Sequence, residues 1–330
     1  MGSCSGHWNA IPQVPPSRVA WNASAPCDGL VHYKWVVESA SCVALPDEYS
    51  GESLCRALQR QTRSTSEILM AGDSTARQWW EFLVRDQSFK RAGCHIAYSS
   101  TDRLLPPKDV GHTCDAQWWD CPGRSRLPVA NEPISESGVP SNGSLPCRVP
   151  GVCWWDPRWL CKFSVIIVNS GLHYSEPAQY RQQIEFLRRA IATGAADDAT
   201  LVWRDIVPGH ADCNQVANQV PFSTLQAAEA AIARKPYHHG LKLKELNTIA
   251  AGLLGSDRGR TAQWWRMLDT YSSTVLRRDS HQVLGRKGTA AIDCLHYCDN
   301  SDVFAHWSRL LLALLLDNNA DYRRSARAQT

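Results

Sequence analysis

A serine, a histidine and two carboxylates stand in this sequence at spacings that suit acyl chemistry. Gly72-Asp73-Ser74 follows a short apolar run and precedes a stretch of helical character. A serine at such a turn is lifted out at the C-terminal edge of its strand, where open α/β sheets bind ligands. Its own N–H and the helix N-terminus can then hold a developing oxyanion. The same tripeptide also serves a purely structural end, because Asp or Ser at that place caps the helix. Far along the chain, Asp293-Cys294-Leu295-His296 sets a carboxylate and an imidazole three residues apart, on one side of a turn. An Asp that accepts from Nδ1 leaves Nε2 free to deprotonate a serine. The plainer alternative is a solvated Asp beside a packed His. Asn169-Ser170-Gly171 closes a second apolar run and offers either an amide donor to the oxyanion or an ordinary turn.

Other groups compete for these roles. Asp279 and His281 form a rival pair, two residues apart rather than three. Cys294 and Cys298 flank His296, which suggests a turn pinned by disulfides, as a preorganised site requires. The alternate spacing of Cys294, His296 and Cys298 suits a metal poorly, and the adjacent His238 and His239 point in different directions in a helix or strand. No metal is expected.

The elements that must carry these residues alternate. Glu67–Ala71 reads as a buried strand ending at Gly72, followed by a helical Ala76–Val84. Phe163–Val168 is a second buried strand. Glu176–Thr193 is a helix, with Ile184, Leu187 and Ile191 on one face and Gly194 as its stop. Thr200–Arg204 is a third strand, closed by Pro208-Gly209; helices near Leu225–Arg234 and Leu241–Leu254 follow, then a strand near Trp265–Leu268 and a last helix over Phe304–Leu316. This alternation predicts an α/β fold: a parallel sheet flanked by helices. Residues 1–66, rich in Pro, Cys and Trp, read as a loop-dominated, disulfide-tied N-terminal subdomain packed against the main domain, 67–330. Cys121–Gly151 reads as a surface insertion. Four Trp-Trp doublets (79–80, 118–119, 154–155, 264–265) recur without a fixed period.

Composition narrows the function classes. The 330 residues are 44% hydrophobic and 20% charged, which excludes a disordered or collagenous chain. Lys+Arg 35 against Asp+Glu 32 leaves +3, with no extended basic run, so nucleic acid is not an expected partner. The longest aliphatic run, Leu310–Leu316, is seven residues, where a bilayer span needs about twenty. Thirteen cysteines without CxxC pairs fit an oxidising lumen and several disulfides rather than a zinc ribbon. The sequons at Asn22 and Asn142 agree with that compartment. Met1–Trp8 has no apolar stretch, so a targeting or anchor segment, the only expected link to a membrane, is expected to be missing from this sequence.

Together these blocks resemble the plant-type trichome-birefringence-like polysaccharide O-acetyltransferases, in the PC-esterase branch of the SGNH hydrolase superfamily. The resemblance rests on Gly72-Asp73-Ser74 with Arg77 three residues on, and on the ending Asp293-Cys294-Leu295-His296-Tyr297-Cys298. Further matches fall in the family's order: His32–Trp35 with Cys42–Pro46, Val168–His173, Trp203–His210 with Cys213, and Leu276–His281. About residues 27–310 are covered. Gln78 stands where the family usually has Asn, Ser280 where it has Gly, and Leu172 is an extra residue before His173. The Gly72–Gln78 wording is also similar to the animal neurexophilin-like branch, which lacks the Asp-Cys-x-His-x-Cys ending.

The resemblance implies an SGNH-like fold and a double displacement by Ser74, His296 and Asp293. An acetyl group would pass from a co-substrate donor (acetyl-CoA or another carrier, with no bound cofactor) to a hydroxyl of a polysaccharide or oligosaccharide. Asn169, Gly171, Arg77 and Asp73 are the implied oxyanion and substrate-binding positions. The implied disulfides are Cys213 with Cys294, Cys27 with Cys298 and Cys4 with Cys42. The implied location is the Golgi lumen or the secretory pathway. A carbohydrate acetylesterase with the same triad, or a non-catalytic carbohydrate-binding protein, are the alternatives. Fourteen Trp would suit stacking on sugars, although such doublets also fill cores.

Overall fold

The computed structural model describes residues 6–10, 33–37, 49–61, 67–100, 117–119, 147–148, 155, 160–196, 198–213, 215, 220–255, 265–281, 293–298 and 302–327. Side chains of the last helix are described as far as residue 316. In chain order, β1 (Gly6–Ala10) pairs antiparallel with β2 (Tyr33–Val37) as a small separate sheet. Helix α1 (Gly51–Gln61) leads to β3 (Ile68–Gly72), α2 (Ser74–Arg85), the short α3 (Gln87–Arg91) and β4 (Ile96–Ser100). Then come β5 (Gln117–Trp119), β6 (Cys147–Arg148), β7 (Val165–Val168), α4 (Pro177–Gly194) and β8 (Thr200–Arg204). Helices α5 (Leu225–Arg234) and α6 (Lys242–Leu254) precede β9 (Trp265–Leu268), the single turn α7 (Tyr271–Thr274) and α8 (Asp302–Arg327).

The main sheet runs β6-β5-β4-β3-β7-β8-β9. Its five strands β4-β3-β7-β8-β9 are parallel, and β5 and β6 extend it antiparallel. The chain leaves β3 toward β4 on one side and later builds β7, β8 and β9 on the other. The order therefore reverses between β3 and β7, and a crevice at such a switch point is where open α/β sheets bind ligands. Ser74 follows β3 and Asn169 follows β7, so both fall at that place.

The central strands are apolar on both faces, which is why they read as continuous apolar runs. Leu69, Ile166, Val168, Leu201 and Trp203 face Ile184 and Leu187 of α4 and Leu246 and Ala250 of α6. Ile68, Met70, Val165, Ile167 and Val202 face α1, α2 and α8 through Leu54, Leu58, Trp79, Leu83 and Trp307. Each such aliphatic side chain, once buried, contributes about 1.5–3 kcal/mol. Trp79 and Trp80 are both core residues. Trp79 donates to Ser308 Oγ at 2.9 Å and Trp80 to the Ile96 carbonyl at 2.8 Å.

Several features depart from the sequence reading. Helix α1 lies inside the stretch read as loop-dominated, yet Leu54 and Leu58 are fully buried in the main core, and Cys55 is bonded to Cys94. Strand β4 was unforeseen; it forms because β3 offers it an edge and Trp80 stacks on Tyr98 (5.6 Å). Strand β6 falls within the presumed insertion Cys121–Gly151; the rest of that segment, with Asn142, lies outside the described residues, as does Asn22. Helix α8 runs to Arg327 rather than ending near Leu316. The β1–β2 pair is fixed to the main body: Trp8 Nε1 donates to the Ser273 carbonyl (2.9 Å), and the Tyr33 amide donates to the Asp302 carboxylate (2.6 Å). Among the described residues no helix is long and apolar enough to cross a membrane.

Candidate active site

Strand β3 ends at Gly72, and the next two residues divide the work that the sequence left open. Asp73 is the N-cap of α2: its Oδ1 accepts from the amides of Thr75 (2.9 Å) and Ala76 (3.3 Å). Ser74 is the first helical residue. With the amides of Thr75 and Ala76 taken by the cap, that of Ser74 has no hydrogen-bond partner among the described residues. Gly72 is required by contact, since a Cβ there would run into Asn169 Oδ1 and, at 2.7 Å, into Ala76 Cβ.

Ser74 Oγ donates to His296 Nε2 at 2.6 Å, and His296 Nδ1 donates to Asp293 Oδ2 at 2.5 Å. Asp293 is held by its own loop, its Oδ1 accepting from the amides of Leu295 (3.0 Å) and His296 (3.1 Å). Burial pushes this carboxyl up. The hydrogen bond and charge of His296 and the two backbone amides outweigh it and bring it down to about 2. The carboxylate is therefore ionised at neutral pH and fixes Nδ1 as the protonated nitrogen, which leaves the Nε2 lone pair for the serine proton.

Several bonds hold this loop in place. Cys294 is joined to Cys213 (Cα–Cα 5.6 Å), and the Cys294 carbonyl accepts from the His210 amide at 2.9 Å. Gln78 grips Tyr297 at both ends: Nε2 donates to its carbonyl (2.8 Å) and Oε1 accepts from its amide (3.1 Å). The Tyr297 hydroxyl donates to the Pro208 carbonyl at 3.0 Å, and the Cys298 amide to the Ser280 carbonyl at 2.8 Å. Cys298 is also disulfide-bonded; its expected partner Cys27, and the pair Cys4 and Cys42, lie outside the described residues. The rival carboxylate is engaged elsewhere, since Asp279 makes a bidentate pair with Arg277 (3.0 Å from both Nε and Nη2).

The other expected site residues are placed differently. Asp73 is wholly buried beneath the serine. Besides capping α2, it accepts from Asn169 Nδ2 (2.7 Å) and Thr75 Oγ1 (2.6 Å), and Thr75 Oγ1 in turn accepts from Arg204 Nη2 (2.8 Å). Arg204 is 1% exposed and lies over the Trp307 ring at 4.6 Å. Asn169 sits beside the serine turn, one of its N–H bonds directed to Asp73 rather than to the site. Gly171 has φ +145°, a conformation suited to glycine, and a Cβ there would run into Ile206 and Tyr180. Arg77 lies on the outer face of α2, where Nε donates to Glu81 Oε1 at 2.9 Å. Sequence reasoning gave no role to Gln78, Thr75 or Arg204. Two of these lie within the Gly72–Gln78 block, but partners 219 residues away for Gln78 and 129 for Thr75 leave no local signal.

A rim of imidazoles borders the triad. His238 is exposed at φ +49°, with its ring against Tyr237 (4.8 Å). Burial, then the charges of His239 and His173, push it below the usual imidazole range, and Asp293 and His296 also bear on it. Burial lowers His239 as well, with Lys242 and His173 beside it. These rings are neutral hydrogen-bonding groups at neutral pH. Among the described residues, no three His, Cys, Asp or Glu side chains are disposed to hold a metal ion.

No protein-family model matches the chain, and no curated protein matches it. Among solved structures, the chain is similar to a DUF4886 family protein from Bacteroides uniformis ATCC 8492, with 10% sequence identity and a TM-score of 0.40 over 76% of this chain and 83% of that one.

Proposed function

We propose that this protein is a serine acyltransferase that moves an acetyl group onto a polysaccharide hydroxyl, working as the trichome-birefringence-like branch of the SGNH superfamily does. The observation that carries the reading is the unbroken line Ser74–His296–Asp293, with contacts of 2.6 and 2.5 Å, assembled from residues more than two hundred positions apart. His296 Nε2 takes the Ser74 proton while Oγ attacks the acetyl carbonyl carbon of the donor. The oxyanion develops at the N-terminus of α2, beside the Ser74 amide, where the helix dipole favours negative charge. His296 then returns the proton to the leaving group, and an acetyl-Ser74 ester remains. A sugar hydroxyl enters, loses its proton to His296 and attacks that ester, so serine and imidazole are regenerated. Asp293 keeps the imidazole oriented and stabilises its charged form.

The rim of His238, His239 and Tyr237, with Lys242 beside it, suits a sugar acceptor, offering donors, acceptors and ring faces. The Cys213–Cys294 disulfide suits an oxidising lumen such as the Golgi. The test is incubation with an acetyl donor and a panel of cell-wall oligosaccharides, read by mass. Acetylated oligosaccharide that disappears with Ser74→Ala supports the proposal. Free acetate alone would reassign the same triad to an acetylesterase. A protein whose Ser74 resists a serine-reactive phosphonate is no such enzyme.

A further inference from the structure

A second pair of histidines lies against the catalytic loop, and its hydrogen bonds do not balance. His210 and His281 are both buried. His210 Nε2 meets the Val275 carbonyl oxygen at 2.7 Å, His210 Nδ1 meets His281 Nε2 at 2.6 Å, and His281 Nδ1 meets the His296 carbonyl oxygen at 3.0 Å. A carbonyl oxygen only accepts, so both ends of this chain require an N–H. Two neutral imidazoles carry one N–H each. With both directed outward, two lone pairs face one another across 2.6 Å. The three contacts need three protons.

We propose that His210 and His281 share a third proton across their contact, and that the singly protonated pair is a positioning device for His296. It grips the carbonyl of His296 and so sets the height of that imidazole against Ser74. The proposal rests on the reading of His296 as the base.

The surroundings suit one charge and refuse two. The Tyr297 ring stacks on His281 (4.6 Å between centroids, 28° between planes), and Phe222 lies beside His210 (6.1 Å). Ring faces stabilise a cation that has left water. Asp279 favours charge on His210 and Arg278 opposes it; Asp293 favours charge on His281 and His296 opposes it. Burial brings His210 down to about 4, and burial followed by the charge of His210 holds His281 well below the ordinary imidazole range. Burial opposes the charge wherever it sits on the pair, and a second charge most of all because the rings are in contact, while the hydrogen bonds to the Val275 and His296 carbonyls offset it. A shared proton is one charge belonging to the pair, stabilised by a carbonyl at each end.

The direct test is nuclear magnetic resonance of the full chain with nitrogen-labelled histidine, between about pH 6 and 8. One proton resonance far downfield of ordinary imidazole N–H, coupled to nitrogens of both His210 and His281, is expected. It should persist in Ser74→Ala and vanish in His210→Gln and in His281→Asn. In acetyl transfer, His281→Leu should lower kcat by about tenfold to a hundredfold with KM unchanged, as a misplaced catalytic group does. His281→Asn, whose amide can still reach the His296 carbonyl, should recover most of that loss without recovering the resonance. Two neutral imidazoles with no bridging proton in the wild-type spectrum would overturn the proposal, as would an unchanged kcat in a folded His281→Leu. The spectrum needs no turnover. An inactive protein that shows the bridging proton therefore discredits the acyltransfer reading and spares the proton count.

Discussion

Ser74 and His296 reach the same 2.6 Å contact by opposite means. The serine stands on regular structure, with a fully buried parallel strand behind it, a capped helix ahead of it, and a buried ionic layer of Asp73, Thr75 and Arg204 below. The histidine stands on irregular backbone between Asp293 and Cys298, and almost nothing local fixes it apart from the Asp293 turn. Its position comes from elsewhere: the Cys213 disulfide, the Gln78 clasp, and contacts with Pro208, Ser280 and His281. The proposed nucleophile is held by the fold and the proposed base by long-range pins, so the two halves should fail differently.

The largest expected effect leaves both supports in place. Ser74→Ala removes the attacking oxygen but no anchor, so acetyl transfer should fall more than about a thousandfold. Stability should fall by no more than about 1 kcal/mol, the worth of the one hydrogen bond to His296. Asp293→Asn should lose transfer on the order of a thousandfold too, because the tautomer of His296 is no longer fixed. Near-native turnover in either variant, read by mass of the acetylated product, would refute the assignment.

The serine's support should break as a stability effect. Arg204 is buried under the Trp307 ring, with Asp73 3.7 Å away and Thr75 Oγ1 between them. Burial pushes its guanidinium down in pKa, and Asp73 is the foremost charge holding it up. Arg204→Met leaves a buried carboxylate without its cation, at a cost of about 3–5 kcal/mol. Urea unfolding measures this, and a loss below about 1 kcal/mol would mean that the cap alone supports the turn.

The base's support should break as a loss of rate in a protein that stays folded. The Cys213–Cys294 bond closes a sequence separation of 81 residues, and a bridge of that kind contributes about 2–4 kcal/mol. Cys213→Ser with Cys294→Ser should cost that much, and it should lower kcat further than any loss of folded protein explains. Gln78→Leu should act in the same direction with a smaller stability loss, about 1–3 kcal/mol for the unpaired Tyr297 backbone groups. If these variants change unfolding but leave kcat per folded molecule intact, the loop holds itself and the comparison is wrong.

This division also explains what could be read from the sequence. Strands β3, β7 and β8 declare themselves as apolar runs because both faces are covered, and α4 shows its period through Ile184, Leu187 and Ile191. Ser74 is legible because a strand, a glycine, a cap and a helix occur in order. Asp293 and His296 are legible because their spacing is local. Helix α1 did carry a signal, with Leu54, Ala57 and Leu58 on one face, but it sits among prolines and cysteines that suggested loops. Strand β4 has a polar end at Ser99 and Ser100 and takes its shape from pairing with β3. Gln78 and Tyr297 are 219 residues apart, and Arg204 and Thr75 are 129 apart. No periodicity links such pairs, so the pins of His296 leave no mark in the sequence although the Asp293–His296 spacing does.

The smallest effect separates the two halves by acid. Asp293 titrates at about 2 in the folded chain, against about 4 for an unperturbed Asp in the unfolded one. A depressed carboxyl stabilises the folded state fully above the unfolded value and loses that contribution as pH falls toward the folded one. The loss should therefore lie between about pH 4 and 2 and belong to the loop. The carboxylate keeps 18% of its side-chain surface open to solvent, which screens the effect to less than the disulfide contributes. Asp86 supplies the contrast within the helical half. Burial raises it, but hydrogen bonds from the Ser88 hydroxyl and from the Ser88 and Phe89 amides bring it below its ordinary value, so it too loses stability with acid. Asp86→Asn should flatten the stability curve at low pH without altering transfer at pH 7, because Asp86 caps α3 at the far end of α2 from Ser74. Asp293→Asn should flatten the curve and abolish transfer together. Unfolding midpoints at stepped pH, with transfer assayed on the same preparations, decide it. A flattened curve in Asp293→Asn with full activity would show that its hydrogen bond to His296 supports the loop's stability but not its chemistry.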